Sequence, residues 1–594
     1  MANILVRKPL NLIMEEAGHE GEHDLKRVLG ATNLVALGIG AIIGAGIFVL
    51  TGTAAAQYAG PGIILSFILA GTGCLFAGLC YAEFASLIPI AGSAYTYGYA
   101  TLGEIFAWIV GWNLILEYAF GAATVASGWS ANVLLLLQHL GIDIPPQFAA
   151  TPGTDMVLYN GFWMAADRVP AGVNLAVLQH ATGWFNIIAF LGICLVTTIL
   201  VIGIQESANL NTIIVFIKVG TVLVFIAVAA VYVFGHMQQA KANWTPFIPP
   251  NTGEFGKYGW SGVVRAAGVI FFAYIGFDAV STAAQESRNP KRDMPIGILG
   301  SLAICTVLYI ATAGLLTGVV KYPQLNSAAP VAVGIMATGV NWGEWLVLVG
   351  SIMGLSTVML VMLLGQSRVF YSMSRDGLLP EWAGRIHPKF RTPYISSIIV
   401  GIFVAVFAAT IPIAVLGELV SIGTLLAFVI VCCGVWILRV KQPDLVRPFR
   451  TPMVPTVPIL GMLIALGLMA GLPIDTWLRL LVWLVIGMDI YLGFGRQHSR
   501  VQLAAGGGGS GIGGLGFVGL LIGGAIGFLL RPSTPAGPLS FWTVFTRAGN
   551  TPGASVAMVD TAHTAFYIMV LAAVIGAAVG IFLEWSRTSK PAAV

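Results

Sequence analysis

The chain contains a long series of apolar runs, each close to twenty residues, separated by short polar loops. A helix needs about 20 apolar residues to cross a hydrocarbon core of ~30 Å. With 57% hydrophobic and 9% charged residues, the chain lies far below the charged fraction of about a quarter that soluble proteins have. The sequence therefore predicts an all-α polytopic membrane protein with about fourteen transmembrane helices. The runs cover residues 32–52, 62–88, 104–137, 184–204, 210–234, 261–283, 297–319, 345–372, 394–413, 415–438, 454–472, 477–494, 512–530 and 562–583.

The charges between these runs indicate how the chain crosses the membrane. If the N-terminus lies inside, the cytoplasmic loops hold most of the Lys and Arg residues, as the positive-inside rule requires. We therefore expect a multi-pass protein of the plasma membrane with both termini cytoplasmic, in which residues 1–31 form a polar N-terminal tail. The net charge of +4 is small and the basic residues are scattered, which argues against nucleic acid as a partner. The lipid bilayer is the expected environment.

Two of the runs carry glycines where a helix interior normally avoids them. The first run holds four glycines among the nine residues from Gly38 to Gly46, and each costs roughly 1 kcal/mol relative to alanine. The sixth run has a second interruption at Gly276, between Phe271 and Asp278. Non-helical backbone is tolerated at bilayer depth only where protein or a water-filled cavity satisfies its polar groups. The pattern predicts that helices 1 and 6 are broken at a ligand site, although glycines that only allow close helix packing remain an alternative.

The two breaks lie five runs apart, which indicates two structural repeats. Corresponding breaks in two halves are typical of transporters built from inverted repeats, and an odd spacing makes the second half enter from the opposite side. We predict a five-plus-five inverted-repeat fold followed by further helices. Its parts are a first repeat at 32–234 with an external loop at 138–183, a second repeat at 261–438, helices 11 and 12 at 453–495, and a glycine-rich linker with helices 13 and 14 at 505–594.

Broken helices offer two kinds of backbone group to a ligand. The N-terminal end of a half-helix presents N–H groups that attract a carboxylate, and the C-terminal end presents carbonyls that attract an ammonium group. An α-amino acid carries both groups. The paired breaks therefore predict an L-amino acid as the substrate.

Three ionisable residues inside the predicted spans mark a pathway, because a charge in the bilayer costs several kcal/mol. Lys218 lies about eight residues, or 12 Å, into the fifth run, and burial disfavours its charged form enough to allow proton exchange. A fixed cation that bridges helices is the alternative. Glu117 lies in the middle of the third run, where it either binds a cationic substrate or pairs with another helix. Asp278 follows the second break and either caps it or has a structural role.

Other patterns in the chain do not support functional sites. His19 and His23 complete an H-E-x-x-H pattern, but the glycines of the charged tail prevent the rigid helix that a zinc site needs. The dinucleotide-like glycines at 511–516 follow no predicted strand. All six cysteines lie inside apolar runs, without the spacing of a disulfide framework or zinc site. We therefore expect no metal, no cofactor and no enzymatic activity.

Several long motifs follow one another along the chain. They run from Gly38 to Gly52, from Cys80 to Tyr97, from Phe271 to Thr282, from Glu286 to Pro295 and from Ser374 to Pro380. Together they resemble the cationic amino acid transporter family of the amino acid-polyamine-organocation superfamily, and the resemblance covers nearly all of residues 25–495. It implies a five-plus-five inverted-repeat fold with two further helices and alternating access. The last two runs are similar to the fourteen-helix plan of the cationic members, whereas the glycine-rich linker matches no motif.

The resemblance also implies roles for the residues of the two breaks. The substrate carboxylate would meet the backbone N–H groups of Gly44, Ala45 and Gly46. The substrate ammonium would meet the carbonyls of Ile42, Phe272, Ala273 and Ile275. The ring of Phe272 would close over the bound substrate as a gate.

For the ionisable residues, the resemblance places Glu117 near the substrate side chain and Lys218 where sodium-coupled relatives hold sodium. A fixed ammonium there disfavours sodium by like-charge repulsion, which leaves the proton as the expected coupling ion. Ser356 and Thr357 are weaker candidates to hydrogen bond Lys218, and Asp278 is a weaker candidate for the site.

We therefore predict a secondary active transporter that imports cationic amino acids by alternating access with proton coupling. Transport of small neutral amino acids, broad specificity and uncoupled exchange remain alternatives. An amino acid sensor on the same fold and a channel are the alternatives of another class. Whether a small membrane subunit accompanies the chain stays open.

Overall fold

The computed structural model describes residues 29–504, apart from residues 91, 160, 167–168, 170–172, 203–206, 328 and 391. It also describes residues 5–9, 12–13 and short pieces between 518 and 576. The H-E-x-x-H pattern, the glycine-rich linker and most of the last two predicted spans lie outside the described residues. The predictions made for them stay predictions.

Long helices make up most of the described chain, because the apolar runs have no way to satisfy their backbone groups in lipid other than within the segment itself. The helices used below are α1 (Ala31–Ile42), α2 (Ile63–Leu87), α3 (Ser93–Thr101), α4 (Glu104–Ile115), α5 (Gly121–His139), α6 (Ile187–Ile202), α7 (Ser207–Gly235), α8 (Gly259–Ile270), α9 (Pro290–Val319), α10 (Asn341–Arg375), α11 (Tyr394–Thr410), α12 (Ile413–Lys441), α13 (Thr456–Ala470) and α14 (Ile474–Ile490). Shorter helices span Thr51–Ala54, Pro146–Ala149, Met237–Asn243, Pro330–Ala337, Arg496–His498 and Arg500–Ala504.

Helical turns of other pitch connect or extend these helices. π-Helical turns span Gly46–Leu50, Ala55–Ala59, Leu116–Phe120 and Tyr491–Gly495. 3₁₀ turns span Gly60–Gly62, Leu175–Val177, Phe271–Tyr274, Asp278–Glu286, Tyr322–Leu325 and Glu381–Gly384. The turn at Leu116–Phe120 joins α4 and α5 into one long helix across the whole molecule.

The described segments have the length and composition of a multi-span membrane protein. Eight of them are long and apolar enough to cross a membrane, and the first of these, Ala31–Leu87, contains two of the predicted spans. Three shorter apolar helices, α6, α11 and α13, correspond to three more predicted spans. The prediction of an all-α polytopic membrane protein is confirmed, whereas the inverted relation of the two repeats stays a prediction.

The helices pack around a continuous apolar core that encloses the two predicted breaks. α9 lies against α1 and α2, and α10 lies against α5 and α7. The segments next to the breaks, Ala41 to Leu50 and Ile270 to Ile275, are almost completely buried in this core. The fold therefore holds non-helical backbone inside protein, where neighbouring groups satisfy it.

Both breaks occur where the glycines predict them. α1 ends at Ile42, and helix resumes at Gly46; α8 runs into a 3₁₀ turn that ends at Ile275, followed by Gly276 with φ of +115°. A Cβ on Gly46 would lie 2.3 Å from Ala273 Cα, and one on Gly276 would lie 2.8 Å from Ala41 Cβ. The glycines are therefore needed because the two breaks press backbone against backbone.

The long loop at 138–183 contains a small antiparallel sheet that the sequence reasoning did not predict. Strand β1 (Asp155–Tyr159) lies between β2 (Phe162–Ala165) and β3 (His180–Thr182), with Val157 opposite both Met164 and His180. Met156 and Ala165 pack onto Leu134, at the end of α5. The sheet covers the end of the molecule opposite the start of α4. Two further short strands, Ser533–Thr534 and Gly537–Pro538, pair with each other.

Candidate substrate site between the two helix breaks

A small cavity lies between the two breaks, in the middle of the helix bundle. Six of the nine residues that the sequence predicts for substrate binding and proton coupling line this cavity. The cavity is lined by Ala41, Ile42, Gly44, Ala45, Gly46, Val125, Phe272, Ile275, Val358 and Met362.

The backbone gives the cavity two poles of opposite partial charge. The helix that restarts at Gly46 has first-turn N–H groups without intrahelical acceptors, which favour a negative group. α1 ends at Ile42, so its last carbonyls lack intrahelical donors and favour a positive group. A carboxylate and an ammonium group can thus be held a few ångströms apart. The arrangement suits the α-carbon end of an amino acid.

The predicted ammonium acceptors are partly engaged by the chain itself. Tyr309 of α9 places its hydroxyl 2.7 Å from the Ile42 carbonyl and 2.8 Å from the Ala273 carbonyl. One hydroxyl hydrogen serves only one of these acceptors at a time, so the other carbonyl keeps free capacity. The Phe272 carbonyl accepts the N–H of Ile275 at 3.2 Å. Tyr309 thereby ties the two breaks together. Sequence reasoning missed it, because one tyrosine in an apolar span gives no signal.

Phe272 occupies the position expected of a gate. It lines the cavity and is 4% exposed, so its ring is held within the core beside the second break. Ala273 does not line the cavity, but it contacts Gly46 directly. The structure thus brings together the predicted residues of both breaks.

Lys218 lies beside the first break and is fully buried. Its ammonium group donates to the Gly40 carbonyl, to the Ile43 carbonyl at 3.1 Å and to Thr357 Oγ1 at 3.1 Å. These carbonyls belong to the end of α1, where the helix leaves them without N–H donors. The lysine therefore replaces the missing donors and fixes the break to α7 and α10.

Of the two weaker candidates for a hydrogen bond to Lys218, Ser356 and Thr357, only Thr357 contacts the lysine. Thr357 contacts the ammonium group, as the resemblance implies. Ser356 lies one residue away, on another side of α10, where its hydroxyl accepts the Trp129 indole N–H at 2.9 Å. Adjacent helix positions point about 100° apart, so α10 does not bring both hydroxyls to Lys218.

Glu117 differs from the prediction that it approaches the substrate side chain. It is fully buried in the turn between α4 and α5 but is absent from the residues that line the cavity. Its carboxyl group interacts with that of Asp278, which accepts the Tyr118 hydroxyl at 3.1 Å and the Gly276 N–H at 3.3 Å. Asp278 therefore caps the second break, whereas neither oxygen of the Glu117 carboxyl group has a hydrogen-bond partner among the described residues.

The wall of the cavity that sequence reasoning missed is apolar. Val125 comes from α5, and Val358 and Met362 come from α10, four residues apart on one helix face. Valine and methionine are common throughout the spans, so only their spacing could have pointed to the site. These side chains and the backbone of the two breaks together enclose the cavity.

We expect Tyr309→Phe to raise the KM for substrate about three- to tenfold while the protein still folds, because one net hydrogen bond contributes about 1 kcal/mol. Uptake kinetics in proteoliposomes measure this change. Tyr274→Phe is the matched control, since it removes an equally buried hydroxyl that donates to the Phe67 carbonyl at 2.9 Å. Equal KM values in the two variants would contradict a role for Tyr309 at the substrate.

The sequence of this chain matches the model of a known protein family. A family model described as amino acid permease matches residues 29–488, which include both breaks, Glu117 and Lys218. The chain belongs to the amino acid permease family. The prediction of an amino acid transporter of the amino acid-polyamine-organocation superfamily is thereby confirmed.

The similar proteins are transporters rather than enzymes. The permease is 45% identical to the branched-chain amino acid permease BcaP of Bacillus subtilis (strain 168) over 487 residues, 82% of this chain and 97% of that protein. It is 40% identical to the methylthioribose transporter of the same organism, over 84% of this chain and 100% of that protein. It is 37% identical to cationic amino acid transporter 4, vacuolar, of Arabidopsis thaliana, over 74% of this chain and 68% of that protein.

Proposed function

We propose that the permease transports neutral amino acids with apolar side chains, of about branched-chain size, by alternating access. The observation that carries this proposal is the lining of the cavity, where the side chains contributed by α5 and α10 are the apolar Val125, Val358 and Met362. An unpaired charged side chain loses its hydration there without compensation. The 45% identity to a branched-chain amino acid permease supports the same substrate class.

Cationic amino acids are the second candidate, as predicted from the resemblance. The observation in their favour is the carboxyl pair formed by Glu117 and Asp278, buried one turn from the second break. The 37% identity to a plant cationic amino acid transporter points the same way. A long cationic side chain would have to pass the apolar wall to reach this pair, which is why we place it second.

Proton coupling through Lys218 is the proposed energy source. The lysine contacts both the end of α1 and Thr357 on α10, so a change in its protonation alters the bonds that hold the first break. A neutral amine keeps only two hydrogens to donate, against three in the ammonium form. Loss of the proton thus leaves one of the three acceptors at the first break without its donor. The protonation of Lys218 is thereby coupled to the position of the end of α1.

The proposed location is the plasma membrane, with the N-terminal tail and the C-terminus in the cytoplasm. The excess of Lys and Arg in the loops on the N-terminal side of the spans supports this orientation. It places the start of α4 at the cytoplasmic face and the three-stranded sheet at the external face.

Uptake of labelled isoleucine and arginine into proteoliposomes tests the substrate class. We expect isoleucine to be transported with a kcat/KM at least about tenfold above that of arginine, because an apolar wall rejects a charge it cannot pair. Glu117→Gln should keep this preference. Faster arginine uptake that Glu117→Gln abolishes would overturn the proposal in favour of the cationic candidate.

A further inference from the structure

The segment of residues 5–9, named here the N-terminal strap, is packed into the body of the permease although it precedes the first span. The Lys8 N–H donates to the Tyr99 carbonyl at 3.3 Å, and the Glu104 N–H donates to the Val6 carbonyl at 2.9 Å. A Cβ on Gly103 would lie 2.7 Å from the Leu5 carbonyl oxygen, so the strap runs directly over this glycine. Part of the predicted N-terminal tail is therefore seated in a groove between α3 and α4.

A buried ion pair fastens the strap to the end of α10. The Lys8 ammonium lies 2.7 Å from Asp376 Oδ1, and the two side chains are 7% and 11% exposed. The Tyr95 hydroxyl donates to the other oxygen of Asp376 at 2.6 Å. Because both charges are largely out of water, removing one partner leaves the other charge without compensation. Lys8 is thus a strong attachment point rather than a surface contact.

α10 holds a second ion pair on the same face, and it involves the second broken helix. Arg368 pairs with Glu286, the last residue of the turn that follows the second break. The backbone of Glu286 accepts the N–H of Leu29 at 2.9 Å, just before α1 begins. Ser281, in the same turn, donates to Ser93 of α3 at 2.9 Å. The ends of both broken helices are therefore tied together and to α10 on this face.

Opening the cavity toward this face requires the ends of the broken helices to move away from α3 and α10. The turn Asp278–Glu286 is held by its pairs with Ser93 of α3 and Arg368 of α10. The strap in turn joins α3 to the end of α10, because Lys8 bonds both to the Tyr99 carbonyl and to Asp376. We propose that the N-terminal strap is a latch that keeps the substrate site closed on this face, with the Lys8–Asp376 ion pair as the contact that breaks on opening. This role is independent of which amino acid is carried and of how transport is coupled.

Cysteine labelling of Ser281→Cys measures the latch without using transport. Ser281 is fully buried in the closed arrangement and lies on the turn that has to move. The purified full-length protein in nanodiscs, reacted with a membrane-impermeant maleimide, reports how often this position is exposed. The parent chain without Ser281→Cys gives the background from its six native cysteines. We expect the protein with both Lys8→Gln and Ser281→Cys to be labelled at least about tenfold faster than the protein with Ser281→Cys alone, because its closed state lacks a buried ion pair.

Two further variants separate a latch from a purely structural strap. Exchanging the charges, as Lys8→Asp with Asp376→Lys, should restore slow labelling because the pair is re-formed. Lys291→Gln removes a charge from an exposed lysine on α9 and should leave labelling unchanged. If the protein with both Lys8→Gln and Ser281→Cys is labelled no faster than the protein with Ser281→Cys alone, the proposal is overturned. A charge exchange that labels as fast as Lys8→Gln, in a protein with parental thermal stability, would also overturn it.

Discussion

Gly46→Ala should reduce uptake of every amino acid by about two orders of magnitude, because the added Cβ would lie 2.3 Å from the Ala273 backbone. The two breaks then have to separate by about 1 Å, and a displacement of that size at a reacting or binding site costs about 100-fold. Proteoliposome uptake of isoleucine, alanine and arginine measures the effect. A loss confined to one substrate would contradict a site in which Gly46 serves the part that all amino acids share.

Gly44→Ala is the matched control for this prediction. Its Cβ would lie 2.9 Å from Val358 Cγ2, the end of a side chain rather than a backbone atom. We therefore expect a smaller loss from Gly44→Ala, and recovery of much of it when Val358→Ala is added to remove the clash. Failure of Val358→Ala to restore any uptake would show that Gly44 is needed for a reason other than space.

Lys218→Met should abolish gradient-driven accumulation of substrate. The change removes the donor that serves the Gly40 and Ile43 carbonyls and Thr357, and each buried acceptor left unpaired costs about 1–3 kcal/mol. If the unmodified permease carries one proton with each isoleucine, it should accumulate isoleucine about tenfold for each pH unit across the membrane. Accumulation ratios at several imposed pH gradients measure both proteins.

Lys218→Arg distinguishes a proton carrier from a fixed cation. Arginine retains the charge and donors but does not release a proton at ordinary pH. If titration of Lys218 drives transport, Lys218→Arg should still exchange internal for external isoleucine but show no dependence on the pH gradient. Gradient-dependent accumulation by a folded Lys218→Arg variant would contradict the coupling role and leave the lysine as a structural bridge.

Much of the fold could be predicted because lipid leaves a chain few choices. Each run of about 20 apolar residues has to form a helix in order to satisfy its own backbone. The breaks could also be predicted, since glycines as close as Gly44 and Gly46 are costly inside a helix unless the helix opens there. The sheet around Val157 could not, because its strands are short and lie in a loop without a regular alternating pattern.

The site was predicted unevenly for a physical reason. Backbone poles depend on where a helix breaks, which Gly46 and Gly276 reveal in the sequence. The apolar wall depends on which valine or methionine faces the cavity, and only packing decides that for Val358 and Met362. Glu117 shows the same limit, because its place in the middle of a span was clear from the sequence, whereas its burial close to Asp278 and away from the cavity wall was not.

The N-terminal strap illustrates how a polar segment escapes prediction. Lys8 lies in a charged stretch that sequence reasoning treats as a solvated tail. Its partner, Asp376, is 368 residues away, and nothing in the local pattern of either residue indicates the pair. Only the three-dimensional arrangement of α3, α4 and α10 creates the groove.

Equilibrium binding to the purified permease tests most directly whether the two breaks hold the α-carboxylate and the α-ammonium of an amino acid. The ligands are isoleucine, isoleucinamide, which lacks the carboxylate charge, and 3-methylpentanoate, which lacks the amino group. Each charge-assisted hydrogen bond contributes about 1.5–3 kcal/mol, so we expect both analogues to bind at least about tenfold more weakly than isoleucine. Binding of either analogue as tightly as isoleucine would contradict the proposed site.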